Sequence, residues 1–495
     1  MRQGARGLVG AAFLGLALAG AATAQEGEIV TKQYDDGSFY EGTFKDGRQH
    51  GTGTYTLPNG YSYTGEWVDG EIRGTGVARY PNGSLYEGQF AAGKPEGRGK
   101  ITYANGGSYE GDWTGGKLTG QGVATYPDGS VYEGAFVDGK HHGQGVMKGA
   151  NDSVYEGAWV DGVKEGKGKI TYADGATYDG DFKANMREGV GQLTMPDGLT
   201  YLGDWKAGQI NGKGRLTQPN GDIFEGDFVE GLRQGSGKMT HANGDVYEGG
   251  FVADKREGQG TFRSADGTVF DGQWVAGKLQ GKGKITFADG SVYEGDVVAD
   301  QAEGLGKMTY VDGSTYEGAW KSGAIEGEGT ATYPSGAVYS GAFTNAQPNG
   351  KGSMTLPDGY RYDGDWVNGQ RQGEGTATYA DGTVYAGGFV NGLREGRGTI
   401  TMADGFRYEG DWKAGEIDGV GIATYPNGDI YEGAFVKGRR EGQGKLTYIS
   451  GQIAEGIWKS GILTAPSPTP AAAENAAPAE ALTPTENAAP AEPQN

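Results

Sequence analysis

The side chains best equipped for chemistry in this chain are few, and their spacing argues against a shared site. Four histidines, His50, His141, His142 and His241, could serve a metal or act as a general base. His50 and His142 stand at the same phase of a repeating pattern, four repeats apart. At eight strands of roughly 4.8 Å that is about 40 Å, so they share no metal. His141-His142 has no third ligand marked beside it, and all four are expected in solvated loops. Cysteine is absent, which removes disulfides, thiolate metal sites and a cysteine nucleophile. Carboxylates recur after a tyrosine, as in Tyr86-Glu87 and Tyr408-Glu409. Glycoside hydrolysis uses two carboxylates roughly 5 to 10 Å apart, but a periodic carboxylate is also what the wet side of a half-buried strand carries, and that is the expectation here. Gly97-Arg98-Gly99 and its counterparts lie in strand patterns, whereas a phosphate cradle opens a helix. The Asp-Gly pairs lack the nine-residue period of calcium-binding repeats. Arg439-Arg440, and Arg394 near Arg397, could touch lipid head groups; in so acidic a chain they are expected as solvated loop residues. No residue is assigned a catalytic, cofactor-binding or metal-binding role.

The elements that position these side chains come from one period. Steps of 23 residues from Tyr40 land on Tyr63, Tyr86 and Tyr109 and run on to Tyr431, with Phe224 and Phe270 the only substitutes before Ala454. Glycine follows two residues after each, and an aromatic four residues after, from Phe44 and Trp67 to Trp458, Val297 alone excepted. Two further glycines come eleven and thirteen residues after, as Gly51 and Gly53. Tyr40, Gly42 and Phe44 alternate with Glu41 and Thr43, and Gly51, Gly53, Tyr55 and Leu57 alternate with threonines. Period-two alternation predicts two half-buried strands per repeat. Pro58-Asn59-Gly60 and Pro127-Asp128-Gly129 supply the turns between repeats. The fold class expected is all-β: an elongated antiparallel hairpin array, solenoid-like, of roughly 37 strands and at most about 180 Å long.

One face is then aromatic, aliphatic and glycine, and the other Glu, Asp, Thr and Lys. Ala78, Ala124, Ala331, Ala377 and Ala423 stand eleven residues after a tryptophan, whereas Ile101, Met147, Leu193 and Met239 stand eleven after a phenylalanine; Trp159, Trp205 and Trp274 break the rule. Conserved volume in one packed layer predicts that these two positions touch. The aromatics Tyr86, Phe90, Tyr109, Trp113, Tyr362, Trp366, Tyr408 and Trp412 are read mainly as core. They are also the candidate groove side chains for stacking on a sugar or lipid.

The ends differ in character. Arg2 and Arg6 precede a small apolar run, Gly7 to Gly20, and Ala22-Thr23-Ala24 fits a cleavage site. Residues 1–24 are read as a signal peptide cut after Ala24, 25–463 as 18 to 19 repeats, and 464–495 as a disordered acidic tail rich in proline and alanine. No cysteine follows the cut, so no lipoprotein anchor is expected. Formal charge is -21, and loss of Arg2 and Arg6 makes it more negative still, which disfavours nucleic acid as a partner.

Tyr86-Glu87-Gly88-Gln89-Phe90 and Tyr408-Glu409-Gly410-Asp411-Trp412, followed by Gly-x-Gly and repeated every 23 residues, closely resemble the MORN (membrane occupation and recognition nexus) repeat, in a bacterial secreted type. The resemblance covers residues 34 to about 461. It implies stacked hairpins in a twisted, groove-like sheet, scaffolding, self-association, and an affinity for membrane phospholipid. Family enzymes carry a separate catalytic domain, and signal, repeats and tail account for the residues present. The expected function is a non-enzymatic envelope scaffold, periplasmic or secreted, that binds a protein partner or spaces layers, with no cofactor. The alternative is a module binding phospholipid or cell-wall glycan through groove aromatics. Asn185, Asp254, Asp300 and Ala346 replace a loop glycine, and Asn151-Asp152 a turn pair; local irregularity is expected there.

Overall fold

The computed structural model describes residues 27–467. The signal segment 1–24 and residues 468–495 of the tail lie outside the described residues. The chain divides into two units between Pro219 and Asn220. The first carries β1 (Val30–Gln33) to β17 (Gln209–Thr217), and the second β18 (Ile223–Val229) to β39 (Ile462–Pro466). Strands neighbouring in sequence pair antiparallel within each unit, as β1 with β2 (Phe39–Lys45) and β2 with β3 (Arg48–Thr56). β39 reaches Pro466, inside the segment whose composition reads as tail.

One repeat shows how the residues dictate the geometry. β4 (Ser62–Val68) turns into β5 (Glu71–Arg79) through Asp69-Gly70, with φ of 47° and 90°. Two consecutive left-handed residues make the type I′ turn whose twist matches a hairpin. Asn185, Asp254, Asp300 and Ala346 keep φ of 70°, 68°, 72° and 62°, and Asp152 keeps 63°. The expected irregularity is therefore absent at these turns. Asn185, Asp254 and Asp300 instead add a side-chain acceptor for the backbone N–H of Lys164, Arg233 and Leu279.

β5 reaches β6 (Leu85–Ala91) by a different turn. The Gly83 N–H donates to Tyr80 O (2.9 Å), the Tyr80 N–H to Ser84 O (2.9 Å), and Gly83 has φ 88°. Pro81 presets the first corner residue, and Gly83 supplies the left-handed position that Asp152 takes in its own repeat. Asn82 contributes its side chain, accepting the Ser84 N–H at 3.0 Å.

Across the hairpin Tyr63 faces Ala78, Gly65 faces Gly76, and Trp67 faces Ile72, with a bulge between Gly65 and Trp67. The glycine pair is obligatory. A methyl group on Gly76 would enter the Tyr63 ring, and one on Gly65 would lie 2.5 Å from Gly76 Cα. The tyrosine thus lies flat on bare backbone, and its hydroxyl donates to Glu66 O at 3.0 Å.

The expected contact between the aromatic and the residue eleven positions on is corrected. Ala78 lies opposite Tyr63 and Tyr86, not Trp67. Where that position carries a ring, the ring meets the tryptophan of the following repeat: Tyr55 with Trp67 at 5.9 Å and Phe262 with Trp274 at 6.3 Å. Shifted by one repeat, the volume rule becomes simpler. No tryptophan follows an alanine; Ala78, Ala124, Ala331, Ala377 and Ala423 all precede phenylalanine.

Candidate functional site

On the aromatic face an anchor tyrosine is typically flanked by two edge-on rings, Tyr293 having Trp320 alone. Tyr86 meets Phe90 of its own repeat at 4.9 Å and Trp113 of the next at 5.1 Å. Edge-to-face pairs of this kind contribute roughly 0.5–1.5 kcal/mol beyond area burial. All eight candidate groove aromatics are buried: Tyr86, Tyr362 and Tyr408 are 0% exposed, Tyr109 and Trp366 1%, Trp412 2%, Phe90 4% and Trp113 6%. They form the core and offer a ligand no ring face.

The ladder of rings is interrupted at Phe270. Val297 takes the place of the next aromatic, and Leu279, fully buried, occupies the space beside Gly283 that a tyrosine ring fills elsewhere. Phe270 turns toward Phe262 instead, at 6.0 Å.

The side chain nine residues after each anchor completes this face, and the sequence reading missed it. Arg187, Arg256, Arg394 and Arg440 lie over Trp205, Trp274, Trp412 and Trp458 at 4.1 to 4.6 Å. Arg394 is 3% exposed and Arg440 8%, which overturns the expectation that these two are solvated loop residues. Arg397 and Arg439, by contrast, are exposed. Arg371 and Arg440 also donate to Gly392 O and Gly461 O of the next turn, each at 2.8 Å. The signal was available, since a strand that starts three residues earlier than expected, at Arg48 rather than Gly51, puts this position on the aromatic face.

The same shift corrects the histidines, which lie in strands or at a strand end and are not fully solvated. His141 stacks on Tyr132 at 3.7 Å, sits 5.0 Å from Trp159, and pairs with the Tyr126 hydroxyl at 2.6 Å. Burial pushes its imidazole down to about 4. His50 accepts the Asp69 N–H, and His241 pairs with Asp222 at 3.1 Å. Among the described residues no group of three or more His, Asp or Glu side chains could hold a metal ion.

The opposite face is polar and floored by the glycine pairs. Within each unit, side chains one and fourteen residues after the anchors form a row along it. In stretches of the second unit the row carries paired opposite charges: Lys284 pairs with Glu294 at 2.9 Å and Lys238 with Glu248 at 3.0 Å. An open cleft of about 900 Å³ runs there from Asp271 to Ser340. In the first unit a second cleft of about 570 Å³ spans Gln121 to Asp179. Beside the row, a carboxylate ten residues after the anchor caps the following turn, as Glu395 accepts the Ala414 N–H and Glu441 the Ser460 N–H, both at 2.7 Å. Each repeat thereby braces its neighbour, the coupling expected of a repeat array.

Repeated hairpins, a ring face closed on itself and an open charged face define a tandem β-hairpin repeat protein. The MORN repeat model matches eighteen segments, from residues 40–60 to 431–453. The chain belongs to the MORN repeat family. No curated protein is found to match its sequence. Solved structures that overlap it include the TCP domain of Drosophila melanogaster SAS-4 in complex with a proline-rich motif (18% identity, 35% of this chain and 87% of that one, TM-score 0.21). Others are the TCP10 domain of Danio rerio CPAP (12%, 57% and 95%, 0.10) and a catalytically inactive virginiamycin B lyase from Staphylococcus aureus (10%, 61% and 97%, 0.11). Overlaps at this level carry no functional meaning for this chain.

Proposed function

We propose that this MORN array is a non-enzymatic scaffold of the bacterial envelope that binds proteins or spaces layers, exported by the leader cut after Ala24. The observation that carries the reading is the contrast between its faces. The rings are consumed as core, so what the array offers is an open sheet face of charged and hydroxyl side chains built to one plan. Such a surface suits extended contact with a macromolecule better than enclosure of a small substrate. Burial of the eight groove candidates counts against lipid or glycan stacking through them. Cross-linking in intact cells, followed by fractionation and N-terminal sequencing, tests the reading. A mature chain beginning at Gln25 in the envelope, cross-linked to a defined protein, is the expected result. Cytoplasmic retention, or sedimentation with liposomes or peptidoglycan and no protein adduct, would sink it.

A further inference from the structure

We infer that the polar face between β8 (Ser108–Thr114) and β12 (Val154–Val160) docks a basic protein segment in polyproline-II conformation, with a lysine or arginine at every third residue. This rests on the protein-binding reading above and names the surface and the partner's chemistry.

The register sets the pattern. Glu110 faces Val123, Val123 faces Glu133, Glu133 faces Val146 and Val146 faces Glu156. The row is therefore carboxylate, valine, carboxylate, valine, carboxylate across five adjacent strands, flanked by Lys100, which reaches Glu110 at 3.7 Å, and by Lys169 opposite Glu156. Elsewhere the fourteenth residue is often lysine and neutralises the row, as Lys284 does with Glu294. Here it is aliphatic, and Val123 and Val146 remain 39% and 40% exposed. Ala135 and Ala158 stand where neighbouring repeats place Asp112 and Asp181, so methyl groups border the row. Glu133, Val146 and Glu156 all line the cleft of about 570 Å³, which continues past Lys167 and Lys169 to Asp179.

Spacing and charge select the occupant. Carboxylates two strands apart stand roughly 9.6 Å from one another, too far to share one metal ion. A polyproline-II helix repeats every three residues, about 9.3 Å, and keeps every third side chain on one side. An extended strand turns its third side chain to the opposite face. A cation at every third position thus meets Glu110, Glu133 and Glu156 in turn, and the residues between pass over the exposed valines. The acidic chain favours such a partner over long range as well.

The test uses the full chain and two labelled nonapeptides of identical composition, read by fluorescence anisotropy. One is Lys-Pro-Pro three times over; the other has its three lysines together, followed by six prolines. Affinity about tenfold higher for the periodic peptide, falling with salt, is expected. Val146→Lys, which gives this row the neutralising residue found in other repeats, should abolish the preference, and Ile422→Lys at the equivalent place in the second unit should not. Both positions are exposed, so the fold tolerates the changes. Equal affinity for the two peptides, no binding, or indifference to Val146→Lys would overturn the proposal. If the peptides fail while an envelope partner still cross-links, this surface is wrong and the scaffold reading stands. Preferential binding without any envelope partner sinks the scaffold reading alone.

Discussion

The indole of Trp412 donates its N–H to the carbonyl of Gly398, fourteen residues earlier and one strand back, at 3.2 Å. All nine tryptophans of the chain make the equivalent bond, at 2.8 to 3.3 Å, from Trp67 on Gly53 to Trp458 on Gly444. A tryptophan therefore bonds to the backbone of the preceding strand, which a phenylalanine, lacking an N–H, does not, although its ring reaches the same preceding tyrosine. That is why the bulk of the preceding strand follows the tryptophan. Ile400 stands twelve residues before Trp412, and alanine suffices at the same place before Phe389 and Phe435.

Replacing Trp412 by phenylalanine should remove that bond and leave space beside Ile400. A lost hydrogen bond and partly filled cavity cost about 1–3 kcal/mol. Because a repeat array need not unfold all at once, hydrogen exchange is the better measurement than a single melting curve. Faster exchange should be confined to β33 (Leu393–Thr401), β34 (Arg407–Lys413) and the strands beside them. Unchanged exchange there would show that the bond contributes nothing.

Two glycines of one repeat should respond differently to alanine. Gly93 has φ 74° with nothing within 4 Å of an added methyl group, and the same turn position already carries Ala346 at φ 62°. Gly93→Ala should cost about 1–2 kcal/mol, the left-handed penalty. A methyl group on Gly99 would lie 2.5 Å from Tyr86 Cζ and must expel the ring. Gly99→Ala should cost more than about 3 kcal/mol, as overpacking of a rigid ring does. Denaturant unfolding with Tyr86 fluorescence-quenching or exchange readouts would rank them, and equal losses would refute the ring-on-backbone account.

Much of this is legible in the residues themselves. The fixed glycines and aromatics gave the hairpins, the turns and the division into a ring face and a polar face, because period-two alternation decides faces. What escaped was the start of the second strand. The two-residue turn ends at Gly47, so Arg48 to His50 belong to β3, and the bulge after Gly42 is what lets the register resume. Position nine varies from Gln49 through Pro95 and His141 to Arg440, so no composition marked it as inward-facing. The volume rule was visible but assigned to the wrong repeat, since sequence distance does not reveal that an indole points backwards.

Alkaline pH should unlock the spine. Desolvation raises the buried phenols of Tyr40, Tyr109, Tyr132 and Tyr431 from 10.0 to about 12, and Tyr63, Tyr86 and Tyr408 move in the same direction. A phenol whose folded value lies above its unfolded one stabilises the fold fully below the unfolded value. That contribution drains as pH rises from about 10 towards 12. With one such phenol in nearly every repeat the losses accumulate, so tyrosinate absorbance and loss of strand circular dichroism should rise together, and steeply. Phenols titrating near 10 with the sheet intact would contradict the burial on which the fold depends.

His141 gives the acid counterpart at a single site. Its ring stacks on Tyr132 and meets Trp159 edge-on in the slot where other repeats carry Leu118 or Arg187, and burial lowers its value from 6.5 to about 4. A depressed histidine favours the fold as the neutral ring above its unfolded value. The contribution is lost as pH falls from about 6.5 through 4, when the proton must enter a desolvated stack. Nuclear magnetic resonance of the imidazoles should show His141 titrating near 4. His141→Leu, which copies the residue that the preceding repeat carries as Leu118, should remove the acid sensitivity of exchange in β10 (Val131–Val137), β11 (Lys140–Lys148) and β12 while leaving neutral stability close to the original. A midpoint near 6.5 would mean that the ring lies in water and that the nine-residue slot does not face the core.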